Sequence, residues 1–183
     1  MPYQVENTNL NGVLLLTPKV FKDQRGFFFE SFNQREFEQA TGLNISFVQD
    51  NHSSSQQGVL RGLHYQKEFP QGKLIRVVRG VIFDVAVDIR PDSSQYGQWT
   101  STCLSAENHH QLWIPSGFAH GFLVLSAQAE VIYKTTEYWV ASDEDAIIWN
   151  DKDIGINWPL GDIQGPPQLS AKDAAARPFI QRL

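Results

Sequence analysis

Apolar residues alternate with polar ones along much of this chain, and a period of two is typical of β-strands rather than helices. In the segment 81–90 every odd-numbered residue is apolar, whereas Asp84, Asp88 and Arg90 fall on the opposite face. Further short segments rich in β-branched and aromatic residues occur at 26–31, 45–52, 59–66, 73–79, 99–104, 111–114, 121–125, 130–139 and 146–149. Many short strands separated by turn-forming stretches predict an all-β sandwich, jelly roll or barrel.

One early helix is predicted by its end signals. Asn33 can cap it, and Glu36 stands three residues later, as in a capping box. Phe32 and Phe37 occupy the two positions of a hydrophobic staple. Gly42 is expected to end the helix, because glycine readily adopts the left-handed conformation of a helix C-terminus.

Length, charge and cysteine content limit the function classes. The 183 residues fit one domain, which we expect to span residues 1–183, with a short helical turn at 170–176. The net charge of −5 provides no global positive field for nucleic acid or an anionic membrane. A single cysteine, Cys103, predicts a reducing compartment, and the early apolar run at 13–16 is too short for a membrane span. We therefore expect a cytoplasmic protein.

The segment 115–120 resembles the second motif of the cupin superfamily, in which a tight turn precedes a metal-binding histidine. The segment comparable to the first cupin motif contains His64, but Gln66 stands where a second histidine ligand would be required. Only His64 and His120 remain as strong nitrogen ligands, one short of a catalytic zinc site or a facial triad. We therefore expect no metal and no cofactor. Without a metal, His64 is a candidate general base, with Gly62 leaving open space beside its ring, or else a hydrogen-bonded core histidine.

Seven motifs occur in the order seen in dTDP-4-dehydrorhamnose 3,5-epimerases, and together they cover nearly the whole chain. They lie at 23–30, 49–53, 60–64, 72–74, 84–90, 115–122 and 169–173. The resemblance implies a metal-free cupin-type jelly roll with a few short helices. It also implies a homodimer, whose N-terminal strands reach the neighbouring subunit, and a dTDP-4-keto-6-deoxy sugar as the substrate.

The resemblance also implies a role for individual residues. The proton acceptor falls on His64, the carboxylate that orients it on Asp173, the proton donor on Tyr133, and a lysine near the C4 oxygen on Lys73. These types suit the chemistry, because removing a proton next to a ketone needs a base, a cation at the developing oxyanion and an acid on the opposite face. Substrate contacts fall on Arg25, Glu30, Gln49, Asn51, Arg61, Lys73, His120, Glu144 and Lys172.

Three of the four proposed catalytic residues also have an ordinary structural interpretation. Tyr133 could be a core tyrosine, Lys73 a solubilising charge on an edge strand, and Asp173 a solvated residue of the tail.

The expected substrate contacts have chemistry that suits a sugar nucleotide. Arg61 and Lys172 suit a diphosphate, and Gln49 and Asn51 share one strand face. The joint presence of all four catalytic types favours an enzyme.

The leading hypothesis is an isomerase that inverts C3 and C5 of dTDP-4-dehydro-6-deoxy-D-glucose through an enolate, in dTDP-L-rhamnose biosynthesis. A narrower alternative is an epimerase of one carbon, or a related isomerase of another dTDP-4-keto sugar. A metal-dependent cupin enzyme and a non-catalytic sugar-nucleotide-binding cupin are the remaining alternatives.

Overall fold

The computed structural model describes residues 3–179. Its strands are β1 Gln4–Asn7, β2 Leu14–Thr17, β3 Phe21–Asp23, β4 Gly26–Phe28, β5 Gln49–Gln56, β6 Leu60–Gln66, β7 Lys73–Arg79, β8 Val81–Asp88, β9 Trp99–Ser105, β10 Gln111–Ile114, β11 Phe118–Val124, β12 Gln128–Thr135 and β13 Glu144–Ala146. Its helices are α1 Gln34–Thr41 and α2 Ala171–Ala174, with a 3₁₀ turn at Leu160–Asp162.

Two antiparallel sheets face one another. The first has the order β1-β2-β10-β7-β12-β5, and the second has the order β13-β6-β11-β8-β9. Strands that neighbour each other in the chain, such as β5 and β6 or β7 and β8, therefore lie in opposite sheets. This crossing between sheets is typical of a jelly roll, and the predicted all-β fold is confirmed.

Strand β8 shows how the alternation is used. Its odd face carries Val85 and Val87, which pack against the C-terminal segment, in a cluster that includes Trp158. The opposite face is also buried: Ala86 belongs to the core between the sheets, and Asp84 is 0% exposed. The polar face of this strand therefore points into the molecule, where its carboxylate requires a partner.

Helix α1 begins and ends where its end signals predict. The Asn33 side chain accepts a hydrogen bond from the Glu36 N–H at 3.3 Å, and Gly42 ends the helix with φ +71°. The ring of Phe37 packs against Phe32, Phe47 and Trp113, so the helix covers the outer side of the first sheet. The predicted turn at 170–176 is also present, as α2.

The C-terminal segment runs along the outer side of the second sheet and is held on both sides of α2. Before the helix, Gln168 forms a parallel bridge with Val59. After it, Arg177 forms a second parallel bridge with Ile147. These two attachments fix α2 directly behind strand β6.

Candidate active site

A cavity of about 320 Å³ opens between the two sheets. Strands β5, β7 and β12 of the first sheet and strands β6, β11 and β13 of the second contribute its walls. It is lined by Gln49, Asn51, Ser53, Arg61, His64, Gln71, Lys73, His120, Gly121, Phe122, Tyr133, Trp139 and Glu144. Eight of the residues that the sequence singled out therefore lie in one cavity.

His64 on β6 forms a hydrogen-bonded pair with Asp173 on α2. Its Nε2 lies 2.5 Å from Asp173 Oδ1, and the carboxylate side chain is only 4% exposed. Burial opposes ionisation of this carboxylate, but hydrogen bonds from His64, Ser170 and the Gly62 N–H hold the pKa of Asp173 below its usual value. An ionised carboxylate can only accept, so Nε2 is the donor in this pair, and in the neutral imidazole Nδ1 then keeps a free electron pair.

A bulge in β6 brings two cavity residues to one side of the strand. Opposite β11, Arg61 pairs with Phe122, and His64 pairs with His120, with a register shift between the pairs. Regular alternation would place Arg61 and His64 on opposite faces, whereas the bulge aims both into the cavity.

Gly62 has a different role from the one expected. A Cβ at this position would lie 2.6 Å from the Cα of Gly121 and 2.6 Å from the carbonyl oxygen of His120. The prediction of open space beside the His64 ring was wrong, because the backbone of β11 fills it. The glycine is needed for close approach of the two strands.

Tyr133 and Lys73 face His64 from the opposite sheet. Tyr133 belongs to the buried face of β12, where Val131 and Thr135 are nearly inaccessible. Burial, with the negative charge of Glu144 added, raises the pKa of Tyr133, so its phenol stays protonated at neutral pH.

Lys73 is 8% exposed and lies on β7, between β10 and β12, and so is not an edge-strand charge. Burial lowers the pKa of its ammonium to about 8, against the raising influence of Glu144 and Asp84. The group is therefore a desolvated cation at neutral pH, which can stabilise a developing oxyanion more strongly than an exposed lysine can.

Strand β5 presents polar side chains to the cavity at every second residue. The amide of Gln49 donates to Asn51 Oδ1 at 3.0 Å, which confirms that the two share a face. Further along, Ser55 accepts a hydrogen bond from Arg61 Nε at 3.0 Å. This contact holds the guanidinium at the cavity wall. Ser53, which is not among the predicted site residues, lies between these contacts and also lines the cavity.

His120 forms a second histidine–carboxylate pair inside the cavity. Its Nε2 lies 2.9 and 3.0 Å from the two carboxylate oxygens of Asp84, which is fully buried. This pair accounts for the buried carboxylate of β8. It also fixes the ring of His120 next to its strand partner His64.

Glu144 connects the cavity to the C-terminal segment. It accepts hydrogen bonds from the ammonium of Lys172 and the side chain of Trp139. Burial opposes the ionisation of Glu144, but these donors hold the pKa of its carboxyl below its usual value. Trp139 remains 54% exposed and forms part of the cavity mouth.

Arg25 and Glu30 do not line this cavity. The Arg25 side chain is 84% exposed and pairs with Asp23 at the tip of the β3–β4 hairpin. The same hairpin exposes Phe27 by 60% and Phe28 by 66%. Glu30 follows the hairpin and accepts a hydrogen bond from Asn33 at 3.4 Å.

The residue that replaces a cupin metal ligand is fully engaged in other contacts. Gln66 donates to the carbonyls of Phe69 and Tyr138 and accepts from the Val140 N–H at 2.7 Å. Within residues 3–179, no group of three His, Cys, Asp or Glu side chains is arranged to hold a metal ion. Nor does any helix in that range have the length and apolarity needed to cross a membrane.

Comparisons with known proteins agree with one another. The family model of dTDP-4-dehydrorhamnose 3,5-epimerase matches residues 7–181. The dTDP-4-dehydrorhamnose 3,5-epimerase of Salmonella typhimurium is 58% identical, over 98% of this chain and 97% of the relative. A solved 3,5-epimerase from Legionella pneumophila, in complex with dTDP-4-keto-L-rhamnose, is 49% identical with a TM-score of 0.92, over 96% of this chain and 92% of that one. A solved 3′-monoepimerase from Streptomyces bikiniensis is 32% identical with a TM-score of 0.86, over 93% of this chain and 85% of that one.

Proposed function

The chain belongs to the dTDP-4-dehydrorhamnose 3,5-epimerase family, and we propose that its cavity performs this epimerisation through four residues in distinct roles. His64 is the base, Asp173 orients it, Lys73 stabilises the enolate oxygen and Tyr133 is the acid. One observation carries the assignment. The base comes from the second sheet, and the acid and the cation come from the first, so they face each other across one cavity.

In the first step, Nδ1 of His64 removes the proton from the carbon next to the C4 ketone. The electron pair of the broken C–H bond forms a C=C bond, and the carbonyl electrons move to O4. Lys73 supplies the positive charge that this oxyanion requires. A positioned base typically contributes about 10²- to 10⁴-fold and an oxyanion partner about 3 to 4 kcal/mol.

In the second step, the enolate collapses and takes a proton from the Tyr133 hydroxyl on the opposite face. The configuration of the carbon is thereby inverted. His64 has gained one proton and Tyr133 has lost one, and exchange with solvent restores both. The raised pKa of Tyr133 keeps this acid protonated before the reaction.

The nucleotide is held by the polar walls around this centre. Arg61 presents a guanidinium that suits the diphosphate, and Lys172 adds a second positive charge. Gln49 and Asn51 offer amides to sugar or base edges. His120 and Glu144 complete the contacts on the second sheet.

A homodimer would complete the site. Arg25 and Glu30 belong to the substrate contacts that the family resemblance implies, yet they lie away from the cavity of their own chain. Their exposed hairpin carries Phe27 and Phe28, and burial of these rings against a second copy would remove an unfavourable apolar patch from water. We propose that each hairpin contributes to the site of the neighbouring subunit.

Deuterium labelling tests the proposed reaction. Purified protein is incubated with dTDP-4-dehydro-6-deoxy-D-glucose in deuterium oxide, and the label is followed at each carbon by NMR. We expect deuterium at both C3 and C5, together with conversion to the dTDP-4-dehydro-L-rhamnose product. Label at one carbon only would identify an epimerase of one centre, and no label at either carbon would contradict the proposed function.

A further inference from the structure

Ser170 lies behind the proposed base, and the mechanism above gives it no role. Its Oγ accepts a hydrogen bond from the Asp173 N–H at 3.0 Å and thereby caps α2. The same hydroxyl donates to Asp173 Oδ2 at 2.8 Å. The other carboxylate oxygen, Oδ1, holds Nε2 of His64. Ser170, Asp173 and His64 thus form a continuous series of hydrogen bonds that ends at the cavity.

We propose that Ser170 is a positioning residue of the epimerase, whose hydroxyl fixes the Asp173 carboxylate in the orientation and charge state that the base requires. The inference rests on the proposed function, because it concerns the assigned base and its carboxylate. It goes beyond that function by extending the two-residue arrangement to a third side chain.

Capping alone does not explain this hydroxyl. A helix cap needs only an acceptor for the backbone N–H, which Asp or Asn would also supply, and Gly is tolerated at this position. Ser170 has one hydroxyl hydrogen, which it donates to the carboxylate of Asp173, a residue that is only 3% exposed. Ser170 is exposed, but the carboxylate that its hydroxyl binds is shielded from water, and hydrogen bonds to buried charges are among the stronger ones.

The hydroxyl also affects how readily the carboxylate is protonated. Burial opposes the charge of Asp173, and Ser170 is one of the donors that hold its pKa below the usual value. Removing the donor raises that pKa, so Asp173 would lose its charge at a higher pH. The other charged or titratable groups around this pair are Arg61 on β6, Lys73 on β7, His120 on β11, Tyr133 on β12, Glu144 on β13 and Lys172 on α2.

The test compares Ser170→Gly with the parent protein across pH. Glycine is tolerated as a helix cap but has no hydroxyl to donate. We expect kcat/KM to fall about 5- to 50-fold, with a loss that grows towards the acidic end of the profile, because Asp173 loses its charge at a higher pH than in the parent. We expect the dissociation constant of TDP to change by less than about 2-fold, because Ser170 lies behind the cavity wall. Ser170→Thr keeps both the hydroxyl and the cap and should restore the parental profile.

Two further variants keep the inference testable if Ser170→Gly does not fold. Ser170→Asp keeps the cap but places a second carboxylate beside Asp173, so it should be impaired at least as much as Ser170→Gly. When Asp173 has already been replaced by Asn, the further change Ser170→Gly should lower kcat/KM by less than about 2-fold, since Ser170 acts through Asp173.

Three results would overturn the inference. The first is a parental pH profile of kcat/KM in both Ser170→Gly and Ser170→Asp. The second is a loss of kcat/KM that is equal at every pH and matches a loss of TDP binding. The third is a loss of kcat/KM in the double variant that equals the product of the losses in Ser170→Gly and Asp173→Asn. A parent protein that shows no exchange at C3 or C5 would instead contradict the proposed function, which is a separate result.

Discussion

In the proposed role, Lys73 couples the activity of this enzyme to pH. The pKa of its buried ammonium is about 8, so the cation is present at neutral pH and is lost as the pH rises through that value. Because only the charged form stabilises the enolate oxygen, we predict that kcat/KM falls on the alkaline side of about pH 8. A steady-state profile that stays flat to about pH 9.5 would contradict this role of the ammonium.

The same lysine should reduce the stability of the fold. Because burial lowers its pKa from 10.5 to about 8, the charged form costs about 3 kcal/mol relative to the unfolded chain. Lys73→Met should therefore raise the free energy of unfolding by about 1 to 3 kcal/mol at neutral pH, while kcat falls about 10²- to 10³-fold. The gain should shrink as the pH rises from about 8 towards 10.5, where the parental lysine is neutral in both states.

Urea denaturation at two pH values measures this difference. Lys134→Met is the matched control, because Lys134 lies on the same sheet but pairs with the exposed Asp50 on its outer side. That variant should keep its activity and gain no stability. A Lys73→Met protein that is less stable than the parent at neutral pH would contradict the assignment of a desolvated cation.

Among the elements, the two loops around the cavity mouth depend on Gln66. Its amide binds the carbonyls of Phe69 and Tyr138 and the N–H of Val140, so the loops after β6 and after β12 are joined. We predict that Gln66→Ala lowers stability by about 2 to 4 kcal/mol, because the buried Gln66 side chain and its three hydrogen bonds to the backbone are lost. KM should rise about 5- to 20-fold, because Trp139 at the cavity mouth loses its support.

Calorimetric binding of TDP and thermal unfolding check this prediction. Gln128→Ala is a suitable control, since the side-chain amide of Gln128 donates to the exposed Ser54 and does not line the cavity described above. Unchanged TDP affinity in Gln66→Ala would show that the loops hold their shape without the amide.

Sequence patterns predicted strands most accurately where pairing is regular. The segments 73–79 and 111–114 coincide with β7 and β10. The predicted segment 130–139 is too long, because β12 ends at Thr135 and the chain then turns away, with the Tyr138 carbonyl held by Gln66. Strands β1 and β3 have no distinctive alternation, and their existence depends on pairing with β2 and β4.

The site was predictable only where it follows local rules. Gln49 and Asn51 share a face because they are two residues apart, and Ser170 precedes Asp173 in the spacing of a helix cap. The common orientation of Arg61 and His64 was not predictable, because it requires a bulge whose register is set by β11. The partnership of His120 with Asp84 likewise depends on the alignment of two strands distant in sequence.

For the whole molecule, the central expectation is a dimer with shared sites. If Arg25 acts in the site of the partner subunit, a hybrid of one Arg25→Ala subunit and one His64→Asn subunit should contain one intact site. That site combines the His64 of the first subunit with the Arg25 of the second. We predict about half of the parental activity per hybrid dimer, whereas each variant alone is strongly impaired.

Co-expression with two affinity tags isolates the hybrid, and light scattering gives its mass. A hybrid with no more activity than the two homodimers would show that Arg25 does not act across the interface. A mass of 20.8 kDa for the active parent would exclude the dimer itself.

The roles of His64 as the base and Tyr133 as the acid are tested most directly by measuring hydrogen exchange and inversion of the carbon separately. In deuterium oxide, His64→Asn should show neither label nor epimerised product, because no enolate forms. Tyr133→Phe should still exchange deuterium at C3 or C5, since His64 can return a solvent-derived proton to the same face, while the inverted product falls steeply. Epimerisation by Tyr133→Phe at the parental rate, or continued exchange by His64→Asn, would contradict the assignment of base and acid.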